Sequence, residues 1–351
     1  MSQTTTSEIL VSGATGFVAS HVVRELLTAG HRVRGTVRRT DPEAVAHLRS
    51  LPGAAERLEL VTADLMEPGS FDKAASGCRV VMHTASPYIL DAKDPQRDLV
   101  DPAVKGTVAV LESCARAASV ERVVVTSSMA AVTDEPDEGV VLTEENWNEK
   151  SSLTRNPYYY SKTLAERAAW KFVEEEKPRW DLVVINPFLV IGPSLGPGIN
   201  TSNQIFVDLL AGKYPGIVRL TWGLVDVRDV ALAHVRAASV KTAAGRYLCA
   251  NKTVSMREVV ELLARSGYDK HKLPRRGLDG AFGDFAVRLG SFFQPKGVGQ
   301  YLRTHIGRVP RFDNGKIRRD LDLEFRPVDQ SILDTVSDLV RWGHVKAPAQ
   351  A

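Results

Sequence analysis

Near its N-terminus the chain reads Glu8-Ile-Leu-Val-Ser-Gly13-Ala-Thr-Gly16-Phe-Val-Ala19. The apolar run predicts a buried strand, and apolar residues then recur at helical spacing as far as Gly30. A strand, a glycine turn and a helix in this order are typical of a dinucleotide-binding site. Gly13 permits the tight turn, Gly16 lets a pyrophosphate approach the backbone, and Ala19 lets the helix pack closely. The phosphates would lie at a helix N-terminus, which favours anions, although an ordinary strand-to-helix turn has the same pattern.

The composition of the 351 residues is that of a globular protein, with 44% hydrophobic and 25% charged residues. The formal net charge is +3 and no long basic tract occurs, so a nucleic acid is not expected as a partner. No apolar stretch approaches the length of about eighteen residues that a membrane span needs, and the polar start lacks signal-peptide features. Three irregularly spaced cysteines predict neither a disulfide framework nor a zinc site. We therefore expect a reduced, cytoplasmic setting.

Strand-like runs alternate with helical patterns over the first half of the chain. Strands are predicted at residues 9–11, 31–37, 58–62, 79–85, 122–126 and 182–185. Such apolar runs are typical of a parallel sheet buried on both faces, so the predicted fold class is α/β, a Rossmann-type doubly wound sheet. Residues 1–190 are predicted to form this dinucleotide-binding domain, with its ligand at the carboxyl ends of the strands. Residues 191–351 are predicted to form a smaller, mixed, substrate-binding part.

A second motif reads Asn156-Pro-Tyr158-Tyr159-Tyr160-Ser-Lys162. Asn156 as N-cap and the proline after it predict the start of a helix. Tyr158 and Lys162 are four residues apart and share a helix face, where an ammonium lowers the pKa of a phenol. Such a tyrosine can donate a proton to a carbonyl under reduction, although a tyrosine and lysine pair can also be a plain surface pair. Tyr159 and Tyr160 are interpreted as packing or pocket-lining residues.

Two strand ends carry polar groups at the predicted ligand edge. The fifth strand ends in Thr126, Ser127 and Ser128, and either serine could bind a substrate carbonyl or simply end the strand. The second strand ends in Arg38 and Arg39 where an NAD-binding protein carries an acid. Arginine suits the 2′-phosphate of NADP, so the pair predicts NADP, with a solvated basic turn as the alternative.

Several acidic residues need separate interpretations. Asp64 ends the third strand and is predicted to meet the adenine amine, although an aspartate in a structural turn is the alternative. Asp226 and Asp229 are interpreted as a capping pair at a helix start rather than as metal ligands. The eight histidines are scattered without a metal-binding pair, so no metal site is expected.

Residues 270–320 are basic, and four of their phenylalanines recur at roughly helical spacing. This stretch has twelve Lys or Arg and four Asp or Glu. The four phenylalanines are Phe282, Phe285, Phe292 and Phe293. We interpret the phenylalanines as facing the core beneath a solvated basic face. A helix at a membrane surface is the alternative.

Together these residues resemble the extended short-chain dehydrogenase/reductases, and more narrowly the dihydroflavonol reductase, cinnamoyl-CoA reductase and yeast carbonyl reductase branch. The resemblance covers nearly the whole chain. It is carried by Gly13-x-x-Gly16-x-x-Ala19, Arg38, Ala63-Asp64-Leu65, His83-Thr-Ala-Ser-Pro87, Asp101-Pro-Ala-Val-Lys-Gly-Thr107, Thr126-Ser-Ser128, Tyr158-x-x-x-Lys162 and Asn186-Pro187. The combination is specific for the family and much less so for the substrate.

The resemblance implies roles for individual residues. It implies a catalytic set of Ser128, Tyr158 and Lys162, with the second serine acting beside the tyrosine. It implies NADPH/NADP+ as cofactor, bound by Gly13, Thr15, Gly16, Phe17, Val18, Arg38, Arg39, Asp64, Leu65, Thr84, Ala85, Ser86, Thr126, Ser127, Tyr158, Lys162, Pro187, Leu189 and Val190. The substrate is expected to contact Ser86, Tyr88, Ser128, Thr133, Tyr158, Phe188, Ser202 and Phe206.

The chain departs from the family's patterns in ways that bear on the substrate. Flavonoid-reducing members carry asparagine where this chain has Thr133, which argues against a flavonoid. Cinnamoyl-CoA reductases read Asn-Trp-Tyr-Cys-Tyr-Gly-Lys around the tyrosine, which weakens a CoA thioester as substrate. A second basic residue near the 2′-phosphate in some plant members falls at Ala44, so the NADP prediction rests on Arg38 and Arg39.

The expected function is therefore an NADPH-dependent carbonyl reductase, an oxidoreductase that reduces a hydrophobic aldehyde or ketone to the alcohol. An NAD-dependent sugar-nucleotide epimerase or dehydratase and a 3β-hydroxysteroid dehydrogenase-like enzyme are the enzymatic alternatives. A binding protein that senses NADP without catalysis is the alternative from another class. The expected partner is a small-molecule carbonyl compound, and the chain is expected to be a monomer or a homodimer.

Overall fold

The computed structural model describes residues 8–86 and 92–348, so the predicted substrate residue Tyr88 lies outside the described residues. Within these ranges the strands are β1 Glu8–Val11, β2 Arg32–Val37, β3 Leu58–Thr62, β4 Val80–His83, β5 Arg122–Thr126, β6 Val141–Leu142, β7 Asp181–Pro187, β8 Leu189–Ile191, β9 Ile217–Val218, β10 Thr221–Asp226, β11 Gly245–Cys249, β12 Lys252–Ser255, β13 Gly277–Leu278 and β14 Arg311–Phe312. The helices are α1 Phe17–Thr28, α2 Pro42–Arg49, α3 Ala54–Arg57, α4 Asp72–Ala75, α5 Asp101–Arg116, α6 Pro157–Glu176, α7 Thr201–Leu210, α8 Val227–Ser239, α9 Met256–Leu263, α10 Ala281–Gly290, α11 Lys296–His305, α12 Gly315–Leu321 and α13 Val328–Arg341.

Seven parallel strands form the central sheet in the order β11-β7-β5-β4-β1-β2-β3. The strands are apolar because both faces of the sheet are covered by helices. On one face α1 packs on α8, and on the other α5 packs on α6. The strand order reverses between β1 and β4, and a doubly wound sheet binds its ligand at that point. The predicted α/β doubly wound fold is confirmed.

A second, smaller core lies in the C-terminal part. There β8 pairs in parallel with β10, β10 pairs antiparallel with β12, and helices α7, α9 and α13 pack around this small sheet. The central sheet nevertheless takes its edge strand β11 from beyond residue 190. The division at residue 190 remains a prediction, and the two parts are interleaved along the sequence.

Two local predictions are wrong for physical reasons that the structure makes plain. The helix at 157 begins where predicted, but Asn156 has a left-handed backbone with φ of 46° and makes no capping hydrogen bond. Its amide nitrogen instead donates to Asp134 and to Thr304, which ties α6 to α11. The four phenylalanines Phe282, Phe285, Phe292 and Phe293 do not face the core. Phe282 and Phe285 of α10, for example, are 80% and 65% exposed, because the opposite side of α10 docks on the protein.

The helices of the described ranges include none that is both long and apolar enough to cross a bilayer.

Candidate active site

The glycine turn follows β1 at the point where the strand order reverses. Gly13 has φ of +63°, and a Cβ added there would lie 3.0 Å from the Cβ and 3.1 Å from the Cα of Ala85. Its N–H donates to the hydroxyl of Thr36 at 3.0 Å. The turn after β1 is thus held against the ends of β2 and β4, and only glycine fits at this position.

The first turn of α1 presents its backbone N–H groups at this edge. The helix begins at Phe17, with Gly16 at the N-cap position, and in the described chain no side chain caps it and no acid occupies its first turn. A Cβ on Gly16 would lie 3.2 Å from the carbonyl oxygen of Gly13, so the turn is closed tightly. Uncapped N–H groups at a helix N-terminus fit a pyrophosphate, so the residues present suit a dinucleotide.

Hydrogen bonds to Ser12 hold the residues that follow β4 beside the glycine turn. The Ser12 hydroxyl oxygen accepts from the N–H groups of Thr84 and Ala85, each at 3.0 Å. The Ser12 hydroxyl therefore has its own proton left to donate to Nδ1 of His83, 2.9 Å away. Burial lowers the pKa of His83 to about 4, so the imidazole is neutral and can accept that proton.

The end of β4 reaches the tyrosine helix through Lys162. Its Nζ donates to the hydroxyl of Ser86 at 2.6 Å, and the side chain is buried on α6. Burial lowers the pKa of Lys162 from 10.5 to about 8, because desolvation disfavours the ammonium. A lysine with this pKa still carries a charge near neutral pH.

Tyr158 lies one turn before Lys162 on the same face of α6. The Lys162 Nζ is 5.7 Å from the centroid of the Tyr158 ring, which is half-buried. The ring meets that of Tyr159 edge-on, with centroids 6.0 Å apart. The structure thus brings together the tyrosine and lysine that the four-residue spacing predicted, and Tyr159 is a packing residue.

The three hydroxyl residues that end β5 differ in what they contact. The Thr126 hydroxyl bonds Nε2 of His234 at 2.7 Å, and the Ser127 hydroxyl donates to Glu166 at 2.5 Å. Both hydroxyls are therefore held by the scaffold. The Ser128 hydroxyl oxygen accepts from the N–H of Ala130 at 3.2 Å and begins a short turn, residues Met129–Ala131, that packs on α6.

Glu166 organises a buried ionic network that sequence reasoning missed. Its carboxylate accepts from Nε of Arg246 at 2.5 Å and from the amide nitrogen of Asn186 at 2.7 Å. Both charged side chains are buried, with exposed fractions of 0% for Glu166 and 7% for Arg246. Tyr158, Lys162 and Glu166 recur every four residues on one face of α6, and that spacing is the signal that could have revealed the network.

The predicted adenosine-side residues lie on the surface. Arg38 and Arg39 are exposed at the end of β2, and the Arg39 guanidinium pairs with Asp41 at 3.3 Å. One Asp64 carboxylate oxygen accepts from the N–H of Met66 at 2.8 Å, so this side chain also closes a turn. Thr15 is exposed after the glycine turn and Leu65, Phe17 and Val18 are half-buried. These positions surround the outer edge of the predicted dinucleotide site.

Comparison with known proteins gives a consistent result over the whole chain. The sequence model of the NAD dependent epimerase/dehydratase family matches residues 9–250. This chain belongs to that family. The predicted likeness to the cinnamoyl-CoA reductase and yeast carbonyl reductase branch of the extended short-chain dehydrogenase/reductases is confirmed as well.

Three similar proteins illustrate this membership. Cinnamoyl-CoA reductase CAD2 of Medicago truncatula is 40% identical over 338 residues, covering 94% of this chain and 95% of that protein. Tetraketide alpha-pyrone reductase 1 of Arabidopsis thaliana is 37% identical over 349 residues, covering 96% and 97%. The structure of Gre2 from Candida albicans in complex with NADPH matches with a TM-score of 0.80 at 31% identity, covering 96% of this chain and 99% of that one.

Three residues predicted to bind the cofactor, Pro187, Leu189 and Val190, lie at the carboxyl edge of the sheet. Pro187 is buried at the end of β7, where it pairs with Cys249 of β11. Leu189 and Val190 are half-buried on β8. The side chains at this part of the edge are thus apolar.

The predicted substrate-wall residues of this family member are mostly inside the protein. Phe188 is buried and its ring packs on Phe312 with centroids 4.8 Å apart, while Phe206 is buried in the second core. Thr133 is buried and its hydroxyl oxygen accepts from the N–H of Glu135. Ser202 is half-buried on α7. The two phenylalanines serve packing in this structure.

Of the acidic residues at 226 and 229, Asp226 has the interpreted capping role, and the Asp229 carboxylate is bound by Arg326. The Asp226 carboxylate accepts from the N–H of Arg228 at 2.8 Å and caps α8, and Asp229 lies in the first turn of that helix. Residues 8–86 and 92–348 contain no group of three His, Cys, Asp or Glu that could hold a metal ion.

Proposed function

We propose that this chain is an NADPH-dependent reductase that converts a hydrophobic aldehyde or ketone to the alcohol. The observation that carries the proposal is that Lys162 lies beside Tyr158 on α6 and bonds to Ser86, just beyond the end of β4 and near the glycine turn. The reductase names of the relatives and the NADPH complex of a similar structure support the same class.

The proposed chemistry is reduction of a carbonyl with proton donation from the protein. NADPH, when bound, supplies the hydride to the carbonyl carbon. The phenol of Tyr158 gives its proton to the carbonyl oxygen, and the Ser128 hydroxyl donates a hydrogen bond to the same oxygen. The Lys162 ammonium stabilises the phenolate that remains, and a proton from water restores the phenol.

The proposed choice of NADPH over NADH depends on charge at the end of β2. Arg38 and Arg39 place two guanidinium groups where the 2′-phosphate of NADPH would lie in a doubly wound fold. Asp41 follows, but it caps α2 by accepting from the N–H of Ala44 and pairs with Arg39. Its carboxylate is therefore committed to the turn rather than to a ribose hydroxyl.

The substrate class is tested by following NADPH absorbance with a panel of carbonyl compounds. The panel contains hydrophobic aldehydes, α-diketones, aromatic ketones, charged keto acids, a cinnamoyl-CoA thioester and a sugar nucleotide. We expect turnover with the hydrophobic aldehydes or ketones and a lower kcat/KM with the keto acids. If the thioester were turned over best, the substrate would be an acyl-CoA thioester rather than a free aldehyde or ketone.

Two other outcomes contradict the proposal outright. Purified protein that carries NAD and converts the sugar nucleotide without net NADPH loss would indicate an epimerase or dehydratase. Tight NADPH binding with no turnover of any compound would indicate an NADP-sensing protein. Both outcomes are measured on the full chain with the same assay.

A further inference from the structure

Five large apolar side chains on and after α10 lie on the surface, and we call them the phenylalanine face. The exposed fractions are 80% for Phe282, 65% for Phe285, 57% for Leu289, 70% for Phe292 and 88% for Phe293. Their spacing of three and four residues runs along one side of α10 and into the short turn that follows it. Contiguous apolar surface of this kind marks an interaction site in soluble proteins.

The opposite side of α10 is held so closely that the helix cannot turn its phenylalanines inward. A Cβ added at Gly283 would lie 1.9 Å from the carbonyl oxygen of Leu278, so the backbones are in direct contact. The next residue, Asp284, is buried and bonded by the guanidinium of Arg219. Rotation of the helix would break this ion pair and drive a side chain into the Leu278 carbonyl. The exposure of the phenylalanine face is therefore fixed by how α10 docks.

Basic residues lie within and next to the segment that carries the phenylalanine face. Arg288 and Lys296 are exposed, although the Arg288 guanidinium also donates to the Ile306 carbonyl at 3.2 Å. The Arg303 guanidinium lies 4.6 Å from the centroid of the Phe292 ring. From residue 281 to residue 305 the sequence has one acid, Asp284, and its carboxylate is buried against Arg219. An apolar helix face edged by cations is typical of helices that lie at a membrane surface.

We propose that the phenylalanine face binds an anionic lipid surface. The rings would enter the headgroup region while Arg288 and Lys296 lie beside lipid phosphates, so the lipid supplies the negative charge that the face lacks. A second copy of the chain is a poorer occupant. A two-fold contact would bring the cations of both faces together with no exposed acid on either face to pair with them.

Helix α11 joins the phenylalanine face to the candidate active site. The rings of Tyr301 and His305 stack with centroids 4.1 Å apart, and His305 packs on Tyr159 with centroids 5.8 Å apart. Tyr159 is the neighbour of Tyr158 on α6. Binding through this face would hold the candidate site near a bilayer in which a hydrophobic carbonyl compound dissolves. The lipid contact itself does not depend on the proposed reductase activity.

Vesicle co-sedimentation of the full chain tests the proposal. One set of vesicles is phosphatidylcholine alone, and the other is equal parts phosphatidylcholine and phosphatidylglycerol. We expect binding to the second set that weakens with salt. The double variant Phe285→Ser/Phe293→Ser should lose most of it, and Arg288→Gln/Lys296→Gln should weaken it by about fivefold for each cation removed. Matched controls replace exposed residues elsewhere, Val140→Ser and Lys171→Gln, and should bind as the wild type does.

Other outcomes overturn the proposal. Absence of binding to either vesicle set, or equal binding to both, contradicts an anionic lipid partner. Unchanged binding of Phe285→Ser/Phe293→Ser places the contact elsewhere on the molecule. A wild-type dimer in light scattering that this variant converts to a monomer, without lipid binding by the wild type, would identify the face as an interface between copies. NADPH binding by every variant shows that the fold is intact.

Discussion

Lys162 is the residue at which folding and the proposed catalysis oppose each other. Burial lowers its pKa from 10.5 to about 8, which corresponds to about 3 kcal/mol of stability lost near neutral pH. The hydrogen bond to Ser86 offsets about 1 kcal/mol of that loss of stability. We therefore expect Lys162→Met to raise the free energy of unfolding near pH 7 by about 1–2 kcal/mol, measured by urea denaturation, while NADPH-dependent turnover falls.

The pH dependence of that difference has a definite sign. Between about pH 8 and pH 10.5 the folded state has released the Lys162 proton and the unfolded state still holds it, so the wild type gains stability as the pH rises. The advantage of Lys162→Met should shrink over this window. A difference that stays constant between pH 7 and about pH 9.5 would show that the ammonium is not destabilised by burial.

At the residue scale, the sequence predicted contacts whose spacing was local and did not reveal contacts with residues far away in the chain. The four-residue spacing of Tyr158 and Lys162 was enough to place them together on α6. The predicted cofactor contacts of Thr126 and Ser127 stay predictions, and the sequence did not reveal that their hydroxyls bond to His234 and Glu166. These partners lie 108 and 39 residues away in sequence, so no local pattern indicates them.

At the scale of elements, the Glu166 and Arg246 pair joins α6 to β11 behind the candidate site. Removing either partner alone leaves a buried charge without its counterion, so Glu166→Leu should lower the free energy of unfolding by about 3–5 kcal/mol. The double variant Glu166→Leu/Arg246→Leu should lose clearly less than the sum of the two single variants. Urea denaturation of all four proteins measures this cycle.

Additive losses in that cycle would mean that the two charges do not stabilise each other. The pair of Lys171 and Glu175 on the same helix is the matched control. Its Nζ and carboxylate oxygen are 3.6 Å apart, and both side chains are exposed to water. We expect the coupling energy between Lys171 and Glu175 to be no more than about 0.5 kcal/mol.

Element bounds were predictable wherever the chain's own pattern determined them. Strands β3 and β5 have the predicted ends and helix α6 has the predicted start, because apolar runs, polar stops and a proline lie in the sequence itself. The side of α10 that faces the protein was not predictable. Helical periodicity shows that Phe282 and Phe285 share a face, but the contact of Gly283 with Leu278 decides which way that face points.

At the scale of the whole molecule, four buried histidines make stability depend on pH. Burial lowers the pKa values of His21, His83, His234 and His305 to about 4, while an unfolded histidine titrates near 6.5. Between these values the unfolded state binds more protons, so stability should fall as the pH falls from 6.5 to 4. Each histidine contributes up to about 1.4 kcal/mol per pH unit in this window.

Thermal unfolding across pH 4 to 7 measures this dependence. Gln cannot titrate, so His234→Gln should reduce the slope of unfolding free energy against pH by up to about 1.4 kcal/mol per pH unit, which corresponds to one proton. A slope equal to that of the wild type would show that His234 is not buried as a neutral group in solution.

The order of the strands is a property of the whole chain. The sequence pattern predicts the fold class but not this order. Alternating strands and helices predicted a doubly wound sheet. The sequence did not indicate that β11 joins its edge, because the partner of that strand, β7, lies some sixty residues earlier. The pairing brings Arg246 to Glu166 and so joins the C-terminal part to the helix that carries Tyr158 and Lys162.

The proposed proton donor is tested most directly by Tyr158→Phe, with Tyr160→Phe as the matched control. The change removes one hydroxyl and keeps the ring, so NADPH affinity measured by fluorescence titration should stay within about twofold of the wild type. The kcat with the best carbonyl substrate of the panel should fall by about 10²–10⁴-fold, the usual worth of a general acid. Tyr160→Phe should retain near wild-type kcat. A Tyr158→Phe enzyme that turns over at the wild-type rate would contradict the central claim that this phenol delivers the proton.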